Sequence, residues 1–499
     1  MLSDETLDSL CVQSLWRKSQ QSAQESRSCQ TRAVAVAEAE VQTVSTATSS
    51  TQTELQGRPT EQLQGPQPPP PGLLDFLGRV QDTILGELAR NARSHAFDGL
   101  LAPRGDPGPK VSRVHCLQHP SAQERHLHVT SLDWNCTGAV VVCAYGRTDE
   151  GDWSNERSCV CMWNLDRRSL QPKQADLVID VPAAVSSLCC HPELPALTAG
   201  GLYNGEVLVW DTRRNQDPVL AQTGMSADGH REPVYHVSWL PLQKDGEFGV
   251  LSAGSGGRVL LWTLDSDRGQ LVLDAAFALV QQQIPQSLRT RGGGSSVGVT
   301  SLAVSPWDPD TFLLGSEGGL LLRCSFSSQT PAAVPSEGLS VAPRAPAVFS
   351  FKPRSGPVYS VHCSPFHRNL VVSAGTDGLA HVHSLLQAEP LLSLRVSDSY
   401  VFQVQWSPTR PLVFAAATGQ GEVQIFDLGS RSLKPAASIQ EEGAAGLASC
   451  LAFNRHRPHL LAVGKTDGTV GVWQLSSDLT EQKPKETRQL DQIANEATD

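Results

Sequence analysis

Long apolar runs are missing from this chain. No stretch reaches the about 18 consecutive apolar residues that a membrane-spanning helix needs, so no span is expected. Methionine is scarce: three residues in 499, against 41 glycines and 33 prolines. That balance favours a turn-rich β protein over a helical one. An excess of positive charge is missing too. Lys and Arg number 40 and Asp and Glu 51, for a formal net charge of -11. A nucleic-acid binder or an anionic-membrane binder needs a basic face, so neither partner is expected. The twelve cysteines include no Cys-x-x-Cys pair. Cys159 and Cys161, two apart on an expected strand, and the adjacent Cys189 and Cys190 read as buried, reduced thiols of a cytosolic protein. The first residues, Met1-Leu2-Ser3-Asp4-Glu5, are acidic and lack an apolar h-region. No secretory signal is therefore expected, and the protein reads as soluble and intracellular.

What is present changes along the chain. Residues 1–71 are rich in Ser, Thr, Gln, Ala and Pro and end in Pro68-Pro69-Pro70-Pro71. With so few large apolar side chains, this segment cannot offset its ordering entropy and is expected to be a disordered tail. Over residues 72–95 the pattern becomes helical. Leu73, Leu77, Val80, Ile84 and Leu88 recur at spacings of four, three, four and four, one face of a helix, which Phe76 and Leu85 widen. Residues 96–110 carry Pro103, Pro107 and Pro109 and read as a linker. A lone helix of this length is marginal in water, so its stripe needs a partner: the body of the same protein or another chain.

Residues 111–475 are repetitive. A first element, Val-x-x-[Leu/Val]-x-[large], occurs as Val129-Leu132-Trp134, Val185-Leu188-Cys190, Val234-Val237-Trp239, Val299-Leu302-Val304, Val358-Val361-Cys363 and Val401-Val404-Trp406. Ala448-Leu451-Phe453 is a weaker seventh copy. Each is followed by two apolar strands around a turn, ending at Trp163, Trp210, Trp262, Cys324, His383, Phe426 and Trp473. Five positions before six of these ends stands a glycine, at 205, 257, 319, 378, 421 and 468. A tight hairpin needs a positive φ, which glycine supplies without steric cost. With a poorly patterned fourth strand between repeats, seven such units predict an all-β, seven-bladed propeller. The last repeat lacks an outer strand, and Val111–Cys116 is placed to fill that position and close the ring. Trp210-Asp211 and Gly229-His230 resemble the WD-repeat signature; Cys324 and His383 depart from it. The long intervals 266–298 and 327–349 are read as surface loops. Residues 476–499 form a polar C-terminal tail, with six acidic against three basic residues, expected to be frayed or disordered.

Signs of chemistry are few. Gly464-Lys465-Thr466 looks like the end of a phosphate loop, but the required first glycine is His459. His126 with His128, and His456 with His459, have no thiol or carboxylate partner at a metal-binding spacing. No Gly-x-Ser-x-Gly elbow is present. No catalytic residue, cofactor or metal is expected, and His383 reads as a core histidine. One loop differs from the short turns elsewhere: Gly146 to Trp153 is acidic and carries Asp149, Asp152 and Trp153. It is either a protein contact surface or a solvated loop whose Trp packs on the ring.

The tail holds three Gln-Thr dipeptides: Gln30-Thr31, Gln42-Thr43 after Val41, and Thr51-Gln52-Thr53-Glu54. An extended segment with alternating Thr and Val can add a strand to another protein's sheet edge. Thr51-Gln52-Thr53 resembles the motif recognised by the hub-type dynein light chain. The order of tail motif, short helix and propeller resembles the dynein intermediate chains, over about residues 28–475. Cys143-Ala144-Tyr145-Gly146, the run Gly200–Asp211, and Ser364–Leu370 are similar to the ciliary branch, and the tail lacks the sustained heptads of the major cytoplasmic form. The resemblance implies a noncatalytic scaffold of the ciliary dynein 2 motor, which drives retrograde intraflagellar transport. Its implied partners are the dynein 2 heavy chain, a second dynein 2 intermediate chain, the hub-type light chain on the tail, a roadblock-type light chain on the Leu73–Leu88 helix, and the intraflagellar transport machinery. Its implied location is the cytoplasm and the cilium, including axoneme and basal body or centrosome. A different WD-repeat scaffold, such as a ubiquitin-ligase substrate receptor, is the competing reading; a propeller enzyme has only the fold in its favour.

Overall fold

The computed structural model describes residues 73–93 and 109–495, with gaps at 148–156, 215, 225, 243–245, 282–283, 285–295, 333–337, 431–432 and 441–445. The chain divides into two units, 1–104 and 105–499. In the first, the described element is helix α1, Leu73–Arg93, with Asp75 in its first turn, where a carboxylate favours the positive end of the helix dipole.

In the second unit the strands form five four-stranded sheets and one eight-stranded sheet. The larger sheet is two consecutive blades joined by one parallel bridge, Gln270 to Gln222. That makes seven antiparallel blades. Their inner strands are His128–Trp134, Val185–Cys190, Val234–Pro241, Val299–Val304, Val358–Cys363, Val401–Trp406 and Ala448–Phe453. The seventh blade has three strands from the last repeat. Its fourth is Val111–Gln118, which pairs antiparallel with Thr469–Leu475 and closes the ring. The second strand of each blade is apolar at successive positions rather than alternate ones, as in Val413–Thr418, buried throughout. Neighbouring blades cover both faces of these strands, so no face needs polar residues. Cores form between adjacent blades; one joins Val129, Tyr145 and Trp163 of the first blade to Ala462 and Val472 of the seventh.

The six turn glycines have φ between 73° and 92°. Crowding adds to conformation: a Cβ on Gly378 would lie 2.2 Å from the Ser397 carbonyl oxygen, and one on Gly205 2.4 Å from that of His230. The two blades whose ends depart from the WD pattern, at Cys324 and His383, each have four strands.

Two expectations fail. The interval 266–298 is not wholly a loop. Gln270–Ala278 is the outer strand of the third blade, with Leu271 and Leu273 buried on alternate positions; Leu279, Val280 and Ile284 beyond it are buried too. Likewise, Ala347–Ser350 in the second interval is an outer strand. Nor is the polar C-terminal tail frayed over its described length. It forms α2, Ser477–Thr480, and α3, Glu486–Asn495. A short Pro120–Glu124 helix also follows the closing strand. Leu479 packs with the sixth and seventh blades, and Leu490 and Ala494 with the fifth and sixth. A few apolar residues at helical spacing suffice because an ion cluster anchors them. Arg410, 1% exposed, donates from Nη2 to Asp427 Oδ2 at 2.9 Å and from Nε to Glu486 Oε2 at 3.3 Å. Its Nη1 donates to the Asp478 carbonyl.

Candidate functional site

Helix α1 carries a run of large apolar side chains open at the surface. Phe76, Leu77, Ile84, Leu85 and Leu88 are 48–58% exposed, and Val80 is half-buried. Positions 77, 80, 84 and 88 fall on one face by helical period, and 76 and 85 flank it. The side chain of Leu73 lies outside the described residues, as do Gln30, Thr31, Val41, Gln42, Thr43, Thr51, Gln52, Thr53 and Glu54 of the tail, and the loop residues Asp149, Asp152 and Trp153.

The axis of the ring is a channel of about 600 Å³, lined by the inner strands of all seven blades. Every inner strand shifts register at the same place, at Thr130, Ser186, Tyr235, Thr300, Tyr359, Phe402 and Ser449. Such bulges turn one extra side chain out of the ladder. Where that residue is small, its hydroxyl bonds the next blade: Thr300 Oγ1 donates to the Val358 carbonyl at 2.6 Å, and Ser449 Oγ to that of Val129 at 2.6 Å. Further along, side chains accept backbone N–H groups from the next blade. Ser131 Oγ takes Leu188 N–H at 3.1 Å, Ser187 Oγ takes Val237 N–H at 3.0 Å, and Gln403 and Gln405 take those of Leu451 and Phe453, each at 2.8 Å. These residues occupy the unconstrained positions of the Val-x-x-Leu-x repeat, so apolar pattern reading passes over them.

Many of the channel's hydroxyls and amides stitch blades together, and burial pushes the thiols of Cys189, Cys363 and Cys450 up to about 12, far from a nucleophilic thiolate. Lys465 is buried in a strand and Thr466 Oγ1 accepts Leu447 N–H at 2.8 Å, so Gly464-Lys465-Thr466 cradles no phosphate. Where the bulge residue is aromatic, rings gather. Tyr359 stacks on Phe402 at 5.7 Å, Tyr400 lies edge-on to Phe402 at 6.4 Å, and Tyr203 meets Tyr235 at 6.1 Å.

The WD signature residues form buried hydrogen-bond networks. In the third blade, Ser252 Oγ meets His230 Nε2 at 2.8 Å and accepts Trp262 Nε1–H at 2.8 Å. The fifth blade rebuilds this with different residues. His383 stands in the place of the Trp, its Nε2 is 2.9 Å from Ser373 Oγ, and Arg354 Nη1 donates to the same oxygen at 2.9 Å. Arg354 also pairs with Asp377, so the departure from the motif is compensated within the blade. His383 is the buried core histidine that its strand position suggests, with Nδ1 lacking a partner.

Among the described residues, one group of His, Cys, Asp and Glu side chains has ligand atoms close enough to share a metal ion: His119, Cys159 and Cys161. The histidine pairs at 126/128 and 456/459 are not in such a group.

Residues 338–475 match the family described as the dynein axonemal intermediate chain 3 WD40 domain. The chain is 49% identical to mouse cytoplasmic dynein 2 intermediate chain 2 over 501 residues, covering all of this chain and 93% of the relative. It is 50% identical to the human protein of that name over 503 residues, 99% of this chain and 92% of the relative. Half-identity sustained from tail to ring, on a seven-bladed propeller preceded by an apolar-striped helix, places the chain in the family of cytoplasmic dynein 2 intermediate chains.

Proposed function

We propose that this chain is a noncatalytic scaffold of the ciliary dynein 2 motor, working in retrograde intraflagellar transport and cilium assembly. The observation that carries this reading is the near-half identity to two dynein 2 intermediate chains along almost the whole chain. Hydroxyls and amides such as those of Thr300, Gln403 and Gln405 in the channel serve the ring's own closure, which suits a scaffold. The ring carries the heavy chain. The stripe of α1 carries a roadblock-type light chain through Phe76, Leu77, Val80, Ile84 and Leu88; these residues are open at the surface and of the kind a helix-in-groove contact uses. Thr51-Gln52-Thr53 carries the hub-type light chain, with Gln42-Thr43 and Gln30-Thr31 as further sites. A second dynein 2 intermediate chain and the intraflagellar transport machinery complete the partners, in the cytoplasm, along the axoneme and at the basal body.

Affinity purification of the full chain from ciliated cells tests this. Recovery of the dynein 2 heavy chain with the full chain and with residues 105–499 is expected. Gln52→Ala with Thr53→Ala should remove the hub-type light chain and leave the heavy chain bound. Recovery of ubiquitin-ligase subunits in place of the heavy chain would overturn the reading.

A further inference from the structure

The seam where the ring closes holds a group of side chains that the scaffold role does not use. His119 is the first residue after the closing strand Val111–Gln118, just before the short Pro120–Glu124 helix. Cys159 and Cys161 lie on the third strand of the first blade, Ser158–Asn164. Being two apart on a strand, they point to the same face. The ligand atoms of the three residues all lie within 4.8 Å of one another. Both thiols are buried, and Nδ1 of His119 is a buried nitrogen with no hydrogen-bond partner.

The distances fit a particular ion. A tetrahedral zinc with Zn–S of about 2.3 Å sets its two sulfurs about 3.8 Å apart. Sγ of Cys161 and Sγ of Cys159 are 3.9 Å apart. Two thiolates and an imidazole select a thiophilic cation over magnesium or calcium, which take oxygen ligands. A carboxylate stands nearby: Asp180 is the cross-strand partner of Cys159 on the outer strand of the blade. We propose that His119, Cys159 and Cys161 form a binding site for a thiophilic d10 cation of the zinc class, with water in the fourth position.

The location gives the site a role. The ring is closed by main-chain pairing of Val111–Gln118 with Thr469–Leu475. A cation held jointly by His119 and the first blade pins the chain as it leaves that closing strand. Ion binding then adds to closure, because the ligands converge only when the ring is shut. The sequence concealed this because His119 lies far from the Cys-x-Cys pair, and that pair alone matches no recognised metal spacing.

Cobalt titration of the full-length protein under a non-thiol reductant tests the site. One equivalent of Co²⁺ should bind with a sulfur-to-cobalt charge-transfer band, Zn²⁺ should displace it, and Zn²⁺ should raise the thermal midpoint. Cys159→Ser with Cys161→Ser should abolish the band, whereas Cys189→Ser with Cys190→Ser should keep it. No band with the wild-type chain, or an unchanged band in the Cys159/Cys161 variant, overturns the site. Should that variant fail to fold, His119→Gln decides: its ring is only half-buried, and loss of its nitrogen should weaken Co²⁺ at least about tenfold. An unchanged affinity there also overturns the site.

Discussion

Helix α1 and the strands of the ring use the same side chains to different ends. In the ring, Phe414, Val413 and Leu412 are fully buried, as are Val371 and Val372 of the fifth blade and Leu461 and Ala462 of the seventh. On α1, Phe76, Leu77, Ile84, Leu85 and Leu88 stay about half exposed. A ring satisfies itself, because each blade's faces are covered by its neighbours. A helix has one stripe and nothing within itself to cover it. Burying the remaining half of each of these five side chains is worth about 1 kcal/mol apiece, so the helix holds several kcal/mol for whatever docks on it. Hydrophobic pattern states that a face must be covered; it does not state by what.

The sharpest way to break the ring's self-sufficiency is at the buried Arg410 guanidinium, which ties the C-terminal helix to the sixth blade. Arg410→Ala leaves Glu486 and Asp427, both largely buried, without their counter-charge. Removing one member of a buried ion cluster costs about 3–5 kcal/mol. Denaturant midpoints should fall accordingly, and α3 should become sensitive to protease. An unchanged midpoint would mean that the C-terminal helix is not part of the ring's stability.

Acid attacks the same ring with a worked sign. Burial pushes His230 and His383 down to about 3, from about 6.5 in the unfolded chain. Above pH 6.5 both states are neutral, and these residues contribute nothing to pH dependence. As pH falls below 6.5, the unfolded imidazoles take protons that the buried ones refuse, so stability drops until the folded values are reached. At pH 5 each histidine costs about 2 kcal/mol, about 4 together. Denaturation at pH 7 and pH 5 measures this, and replacing both histidines by glutamine should reduce the slope, leaving the share that His236, His362 and His381 carry in the same direction.

The turn glycines allow a smaller and more local break. Gly378→Ala meets both a positive φ of 73° and the Ser397 carbonyl oxygen at 2.2 Å. A cost of about 1–3 kcal/mol is expected. Gly224→Ala has φ of 60° with nothing within 4 Å of its Cβ, so it should cost only the conformational penalty of about 1 kcal/mol. The difference in denaturant midpoint between the two isolates crowding from conformation.

These glycines also mark how far the sequence could be read. Seven repeats, their turns and the ring-closing strand were legible, because each is a local pattern repeated at a fixed interval. The Arg410–Glu486 pair was not: its members are 76 positions apart, Arg410 holds no position of the repeat pattern, and Glu486 lies beyond the last repeat. The outer strand Gln270–Ala278 was hidden because outer strands vary most from blade to blade, and its glycine-rich and glutamine-rich surroundings looked like loop. The networks of Ser131, Ser187, Gln403 and Gln405 sit at positions where a pattern of apolar residues carries no information. The fifth blade shows the reverse. His383 departs from the motif and reads as a core histidine, and Arg354, Ser373 and Asp377 supply the substitute network that only the fold brings together.

The smallest expected effect on stability is the one that separates the two regions most cleanly. Ile84→Asp places a charge in the exposed stripe of α1, where the wild-type side chain is already 50% open. A surface substitution of this kind changes folding stability by no more than about 0.5 kcal/mol. The same charge, forced into an apolar groove of a docked partner, would have to be desolvated there without a counter-ion, which costs far more than the lost contact. So the denaturant midpoint of the full chain should hold while the roadblock-type light chain is lost from the purified complex. The other occupant of the stripe, this protein's own ring, predicts the opposite pair of results: a midpoint lowered by more than 1 kcal/mol and a light chain still bound. Because the two readings differ in both measurements, one variant assigns the stripe either to another chain or to its own.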